Sequence, residues 1–185
     1  MRASRNLPEQ LWIENKSTGL SLFLARILKA LKPVVLDAGL LSGPNIQFLS
    51  SLGCKVYADD ILESTFTGAL DYDQELFDGI MLWEAMDRID HSQAERFLEE
   101  IERILKAGGV AFMITSSQNK IKPEGARKFR IRQKNVFEHS SCSEMLIKKH
   151  YYTNRDLMKL FERFKILCFN LLKTGEREIV IEKTK

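Results

Sequence analysis

Long apolar runs are missing from this sequence. The nearest approach, LSLFLARILKAL over residues 20–31, is cut by Arg26 and Lys29. It falls well short of the roughly 20 residues a bilayer-spanning helix requires, so no membrane span is expected. The opening MRASRNLPEQLW has no apolar core ahead of a small-residue cleavage site, which argues against a secretory signal and makes the cytoplasm the expected compartment. Cysteine is scarce: Cys54, Cys142 and Cys168 are odd in number and far apart. That excludes a disulfide framework and the paired spacing of a zinc site, and leaves buried or half-buried thiols. His91, His139 and His150 also lack ligand spacing, so no metal is expected and the three read as surface or capping residues. Internal repeats and low-complexity stretches are absent.

A large excess of charge of one sign is lacking, since 28 Lys and Arg face 25 Asp and Glu for a net +3 over 185 residues, but the balance is unevenly spread. Between Gln118 and His150 nine Lys or Arg face three Glu, a local +6, which leaves about −3 for the rest. Any electrostatic function belongs in that segment. With 44% hydrophobic residues, the chain is long enough for one buried core and short for two. A single domain over 1–185 is expected, with an N-terminal helical segment at 1–32 and a basic insertion or lid at 118–150.

What the sequence does contain is an alternation of two periods. Leu20, Phe23, Leu24, Ile27, Leu28 and Leu31 recur at helical spacing, and PVVLDAG follows as a short continuous strand that stops at glycine. Ser42 or Gly43 can cap the next helix, Pro44 suits its first position, and Gly53 can close it before a second strand, CKVYADD. FDGIMLW is another buried strand. Ser92 and Glu95 stand at capping-box spacing ahead of a helix carrying Phe97, Leu98, Ile101, Ile104 and Leu105; Gly108 and Gly109 close it, and GVAFMITS follows as a strand. After the basic segment, Thr153 or Asn154 can cap a helix with Leu157, Leu160, Phe161 and Phe164. The last two strands, KILCFNLLK and REIVIEK, are joined by TGE, which permits a hairpin and no parallel crossover.

Strands alternating with helices predict an α/β, three-layer Rossmann-like fold: a mostly parallel sheet with one antiparallel strand from the C-terminal hairpin. Such a sheet binds its ligand beyond the carboxyl ends of its strands. The positions to inspect are Asp37 to Gly43, Asp59 to Ile61, Trp83 to Asp87 and Thr115 to Gln118. Asp37 ends the first strand before the glycine turn, where a carboxylate would repel a diphosphate. A cofactor with positive charge at that point, such as the ammonium and sulfonium of S-adenosylmethionine, is favoured over a nicotinamide dinucleotide. Asp60 ends the second strand, where a carboxylate can accept hydrogen bonds from both ribose hydroxyls.

In this arrangement the chain resembles the class I S-adenosylmethionine-dependent methyltransferases over roughly residues 18 to 183. Their D/E-x-G-x-G-x-G turn is matched by Asp37, Gly39 and Gly43, with Leu41 in place of the middle glycine. FDGIMLWEAMDRI, AERFLEEIERILKAGGVAFMITS and YYTNRDLMKLFERFKILCFNLL are similar to later elements of that family, in the same order. The resemblance implies S-adenosylmethionine as cofactor, held by Asp37, Ala38, Gly39, Leu41, Ser42, Gly43, Asp60, Ile61 and Trp83. The sequence departs from the family twice. Leu41 carries a Cβ that must reshape the turn. Only sixteen residues separate Asp60 from Phe77, too few for the family's helix and third strand, so that strand is expected to be absent. Asp71, Tyr72 and Asp73 are the substitutes for the adenine contacts of that region.

Methyl transfer needs positioning, and a base only when the acceptor must lose a proton. Glu84 and Asp87 are the candidates for that task; otherwise they are loop acids, or for Asp87 a helix cap. The acceptor is a small molecule or an anionic macromolecule, with nucleic acid binding through 120–134 as one form. In KFRIRQK, charges alternate with Phe129 and Ile131, as in a strand with one basic face, and Phe137, Tyr151 and Tyr152 are candidates for stacking on bases. The competing expectation is a non-catalytic protein of the same fold, whose basic segment docks a protein or nucleic acid.

Overall fold

Strand β4 (Phe77–Trp83) is the centre of the protein, and six of its seven residues are buried. A strand hidden on both faces belongs inside a parallel sheet covered by helices. The computed structural model describes residues 11–61, 66, 68–118, 124–147 and 149–184, without the side chains of 124 and 142–145. The start of the chain, residues 119–123 of the basic arm and the thiol of Cys142 lie outside the described residues.

The main sheet takes the order β3-β2-β4-β5-β9-β8. Strands β2 (Val34–Ala38), β3 (Lys55–Ala58), β4 and β5 (Leu105–Ser116) run parallel, and β9 (Glu176–Lys183) is antiparallel to both β5 and β8 (Phe164–Leu171). The short TGE connection produces the expected hairpin. Among the described residues no strand lies between Ala58 and Phe77, as the short spacing predicts.

Helix α1 (Thr18–Ile27) covers one face through Leu20, Phe23, Leu24 and Ile27. It presses against β4 so closely that a Cβ on Gly79 would lie 2.6 Å from Ile27 and 2.8 Å from Phe23, which is why β4 carries a glycine there. Helix α2 (Gly43–Ser51) ends with Gly53 at φ +85°, as its closing role requires. Helix α4 (Ala94–Ile104) packs Phe97, Leu98, Ile101 and Ile104 on the opposite face, where α3 (Ala85–Arg88) and α5 (Asn154–Leu160) also lie. Thr153 caps α5 in a reciprocal box with Asp156.

Several expectations need correction. The 1–32 region is not wholly helical: β1 (Ile13–Lys16) precedes α1, and Leu31 lies past the helix end, 96% exposed. Ser92 does not cap α4. Its N–H and hydroxyl both bond Asp90, and Gln93 is the cap residue, whose side chain donates to the Phe66 carbonyl and makes no capping bond to the helix. Helix α4 stops at Ile104, and β5 begins at Leu105, ahead of the two glycines; Gly108 turns within the strand at φ +75°. Gly109 has no room for a side chain, since a Cβ there would sit 2.9 Å from the Lys106 carbonyl.

The basic segment forms β6 (Glu124–Gln133) and β7 (Val136–Ile147), an antiparallel pair that β1 joins in the order β1-β7-β6. The strand expected at KFRIRQK lies within β6, and its pairing into a second, three-stranded sheet goes beyond the local pattern. Phe129, Ile131 and Phe137 turn inward and pack with Trp83 and Phe112 in the core on the α1 face.

Candidate functional site

Asp37 lies next to the end of β2 as the strand pattern predicts, whereas the adjacent parallel β3 stops at Ala58, so Asp60 lies two residues past its end and does not close it. Asp37 pairs with Ala58, and the Asp59 amide donates to the Asp37 carbonyl at 3.1 Å. Their side chains part company. The Asp37 carboxylate is 3% exposed and turns to the α1 face, where Oδ1 accepts from Trp83 Nε1 at 2.6 Å and Oδ2 from Asn45 Nδ2 at 3.0 Å. Burial pushes its pKa up to about 6, against the lowering effect of those two hydrogen bonds. Asp60 Oδ1 instead accepts from Arg88 Nη1 at 2.9 Å, at the end of α3, whose Ala85 and Met86 belong to the core of the opposite face.

The glycine turn is covered from within. A Cβ added to Gly39 would meet the Trp83 ring at 3.2 Å, so the indole lies directly on the turn. Trp83 in turn stacks on Phe129 of β6, with ring centroids 4.8 Å apart and planes 15° from parallel. Asn45 fastens the same hairpin, accepting from the Ile131 amide at 2.8 Å and donating to the Phe129 carbonyl at 3.3 Å. Leu41 projects outward, 71% exposed, and does not fill the space between the acids. Ala38 and Ser42 are buried, Ile61 is half-buried, and Gly43 faces open space.

Neither candidate base is a solvated loop acid. Glu84 is 2% exposed in a left-handed conformation at φ 53°, and Oε1 accepts from both Arg127 Nε and Lys149 Nζ at 2.6 Å. Arg127 also bonds Glu176 at 2.5 Å, so it ties β6 to β9 as well as to the end of β4. Asp87 is 1% exposed; it accepts from the Thr115 hydroxyl and from the Ser116 amide at 2.9 Å. Burial, with negative Glu84 nearby, pushes its pKa up to about 7.

Of the adenine-side candidates, Tyr72 donates to Asp59 Oδ2 at 2.8 Å and packs edge-on against Tyr57 and Phe77, while Asp71 and Asp73 are exposed. The outward face of β6 is basic as expected, but Arg130 bonds Glu138 at 2.5 Å and Arg132 lies 3.7 Å from the same carboxylate. Phe137 and Tyr152 are core residues, each 1% exposed, which removes them as base-stacking platforms. His139 is likewise no surface residue: it is 5% exposed and 3.0 Å from Asn15. Cys54 is buried and Cys168 half-buried.

Sequence reasoning missed Asn45, Arg88 and Arg127, and placed Phe129 on the apolar face of its strand without its stacking on Trp83. Asn45 left a trace, since it sits four residues before Leu49 on the buried side of α2. Arg127 left none, because its acid partners are 43 and 49 residues away.

Among the described residues no helix is long and apolar enough to cross a membrane. No protein-family model and no curated protein matches the sequence. Solved structures match the fold. One is a methyltransferase dependent on S-adenosylmethionine from Methanosarcina mazei, with 19% identity and a TM-score of 0.57 over 83% of this chain and 93% of that one. Another is the Burkholderia thailandensis 1,6-didemethyltoxoflavin-N1-methyltransferase, solved with 1,6-didemethyltoxoflavin and S-adenosylhomocysteine; identity is 15% and TM-score 0.58, over 91% of this chain and 80% of that one. The 4+2 cyclase SpnF also matches, at 11% identity and a TM-score of 0.52 over 89% of this chain and 79% of that one. What these likenesses share with this chain is architecture, and the protein therefore has the fold of the class I S-adenosylmethionine-dependent methyltransferases.

Proposed function

We propose that the protein is an S-adenosylmethionine-dependent methyltransferase whose cofactor crevice, at the carboxyl ends of β2, β3 and β4, stands closed under the β6–β7 hairpin. One observation carries this reading: at the carboxyl edge of a methyltransferase-fold sheet Asp37 stands next to the end of β2, before the glycine turn, and Asp60 follows the end of the adjacent parallel β3, although their side chains turn to opposite faces. Asp60 is suited to the ribose hydroxyls once Arg88 is displaced. As it stands, the methionine end does not fit the cofactor, because Trp83 covers Gly39 and occupies Asp37 Oδ1. Binding therefore requires Trp83 and the stacked Phe129 to move.

A small-molecule acceptor suits the hairpin better than nucleic acid. Arg127 is buried in ion pairs, and Arg130 and Arg132 share Glu138. The toxoflavin methyltransferase, with its small acceptor, offers a parallel.

The second reading is a cofactor-free protein of this fold, in which the basic hairpin has become a permanent plug. The bond from Trp83 to Asp37 favours it, since the indole N–H stands where the ammonium of S-adenosylmethionine would otherwise meet that carboxylate. Calorimetric titration with S-adenosylmethionine and S-adenosylhomocysteine separates the two. Saturable heat in the wild type or in Trp83→Ala, abolished by Asp60→Ala, supports the cofactor reading. Silence in both wild type and Trp83→Ala rejects it.

A further inference from the structure

A second pocket lies at the other end of the same sheet edge. A cavity of about 670 Å3 opens beyond β5, between the start of α5 and the β8–β9 hairpin. Its lining holds two guanidiniums, Arg155 and Arg177, together with Ser117, Asn154, Asn170 and Tyr151, and no carboxylate.

Arg177 is the unusual member. On β9 it falls in step with Ile179 and Ile181, which point into the core, and it is only 5% exposed. The alternation asks for an apolar side chain at that position. Nε donates to Asn154 Oδ1 at 2.7 Å, a terminal nitrogen donates to the Ser116 carbonyl, and the guanidinium lies 5.7 Å from the Tyr151 ring centre. All three neighbours are neutral. Asp87, on the far side of Ser116, directs its oxygens to Thr115 and the Ser116 amide. Among the described residues no carboxylate stands within ion-pair distance of Arg177. Neutral acceptors satisfy the hydrogens of a buried guanidinium but do not neutralise its charge, and such a cation is stabilised by an anion able to use its planar fork.

We infer that this cavity is a binding site for a small organic oxyanion, with Arg177 as its buried counter-charge, Arg155 at the mouth, and Tyr151 and Phe169 flanking the organic body. The site is separate from the crevice around Asp37 and Asp60, and the inference does not rest on methyl transfer.

The test is calorimetric titration of the full chain with phenyl phosphate, benzoate and inorganic phosphate, and with benzyl alcohol as the neutral control. Saturable binding of at least one anion and none of benzyl alcohol is expected. Arg155→Ala weakens it several-fold, Arg177→Lys keeps the charge but loses the fork and weakens it roughly tenfold, and Arg177→Met abolishes it. Comparing the three anions assigns the head group to phosphate or carboxylate and reports whether the ring contributes. Should Arg177→Met not fold, Arg155→Glu at the exposed mouth carries the test, with binding expected to fall at least tenfold. Absence of saturable binding to the wild type overturns the inference, and so does binding unchanged in Arg177→Lys and Arg155→Glu. Added S-adenosylmethionine should leave anion binding unaltered, so failure here is distinguishable from failure of the cofactor reading.

Discussion

The Trp83 indole donates to Asp37 across 2.6 Å while its ring lies flat on Phe129, so one side chain both satisfies the acid of the glycine turn and seats the hairpin above it. Phenylalanine at 83 would keep most of the stacking and remove the donor. Asp37 would then depend on Asn45 alone while buried. Trp83→Phe is expected to lower stability by about 1–3 kcal/mol, read by urea denaturation at neutral pH. An unchanged midpoint would mean that Asp37 gains nothing from the indole.

Asp87 offers a pH signature. Its carboxyl titrates at about 7 in the folded protein against an ordinary 3.8, because burial disfavours the charged form. Between about pH 4 and 7 the folded state therefore holds a proton that the unfolded chain has released, and this group's contribution to stability falls as pH rises through that window. Asparagine at 87 can still accept from the Ser116 amide but does not titrate. The stability lost between pH 5 and pH 8 should be smaller in Asp87→Asn than in the wild type by on the order of 1–3 kcal/mol, measured by denaturation at both pH values.

Glu84 holds two cations at the end of β4. Replacing it with glutamine preserves shape and removes the charge facing Arg127 and Lys149, while Arg127 keeps Glu176. Breaking a buried pair from one side costs about 3 kcal/mol. A double-mutant cycle of Glu84→Gln with Arg127→Met should return a coupling of 1 kcal/mol or more, and additivity would mean that the pair contributes little.

On the outer face of the hairpin, Glu138 masks Arg130 and Arg132. Glu138→Gln should elute later from an anionic resin at a given salt concentration, and charge reversal of Lys128, Arg130 and Arg132 in the wild type should elute earlier. Equal elution of all three proteins would deny this face any electrostatic role.

Much of the architecture was legible from local pattern. The alternation of periods places β2, β3, β4 and the α4–β5 unit in order, the three-residue TGE turn dictates an antiparallel end, and sixteen residues leave no room for a further strand. Errors gathered where a local signal competed with a tertiary one. Ser92 matches a capping box, yet its hydroxyl takes the nearer Asp90, and Leu105 continues the helix pattern yet is claimed by pairing with Phe77 in the sheet.

Sequence alone determined that a carboxylate would stand at or just past the end of each of two strands beside a glycine turn, because an acid following an apolar run is a local fact of spacing. Only the tertiary structure decided what those acids touch. The contacts that cover the glycine turn and hold the second sheet join segments far apart in the chain, with Phe129 reaching Trp83 and Asn45, and Asn15 meeting His139 across 124 positions. Hydrophobic period records which face of an element is buried. It carries no record of which distant ring or ion lies against that face, and for this reason neither the covering of the glycine turn by Trp83 and Phe129 nor the burial of Arg177 could be read from order and spacing.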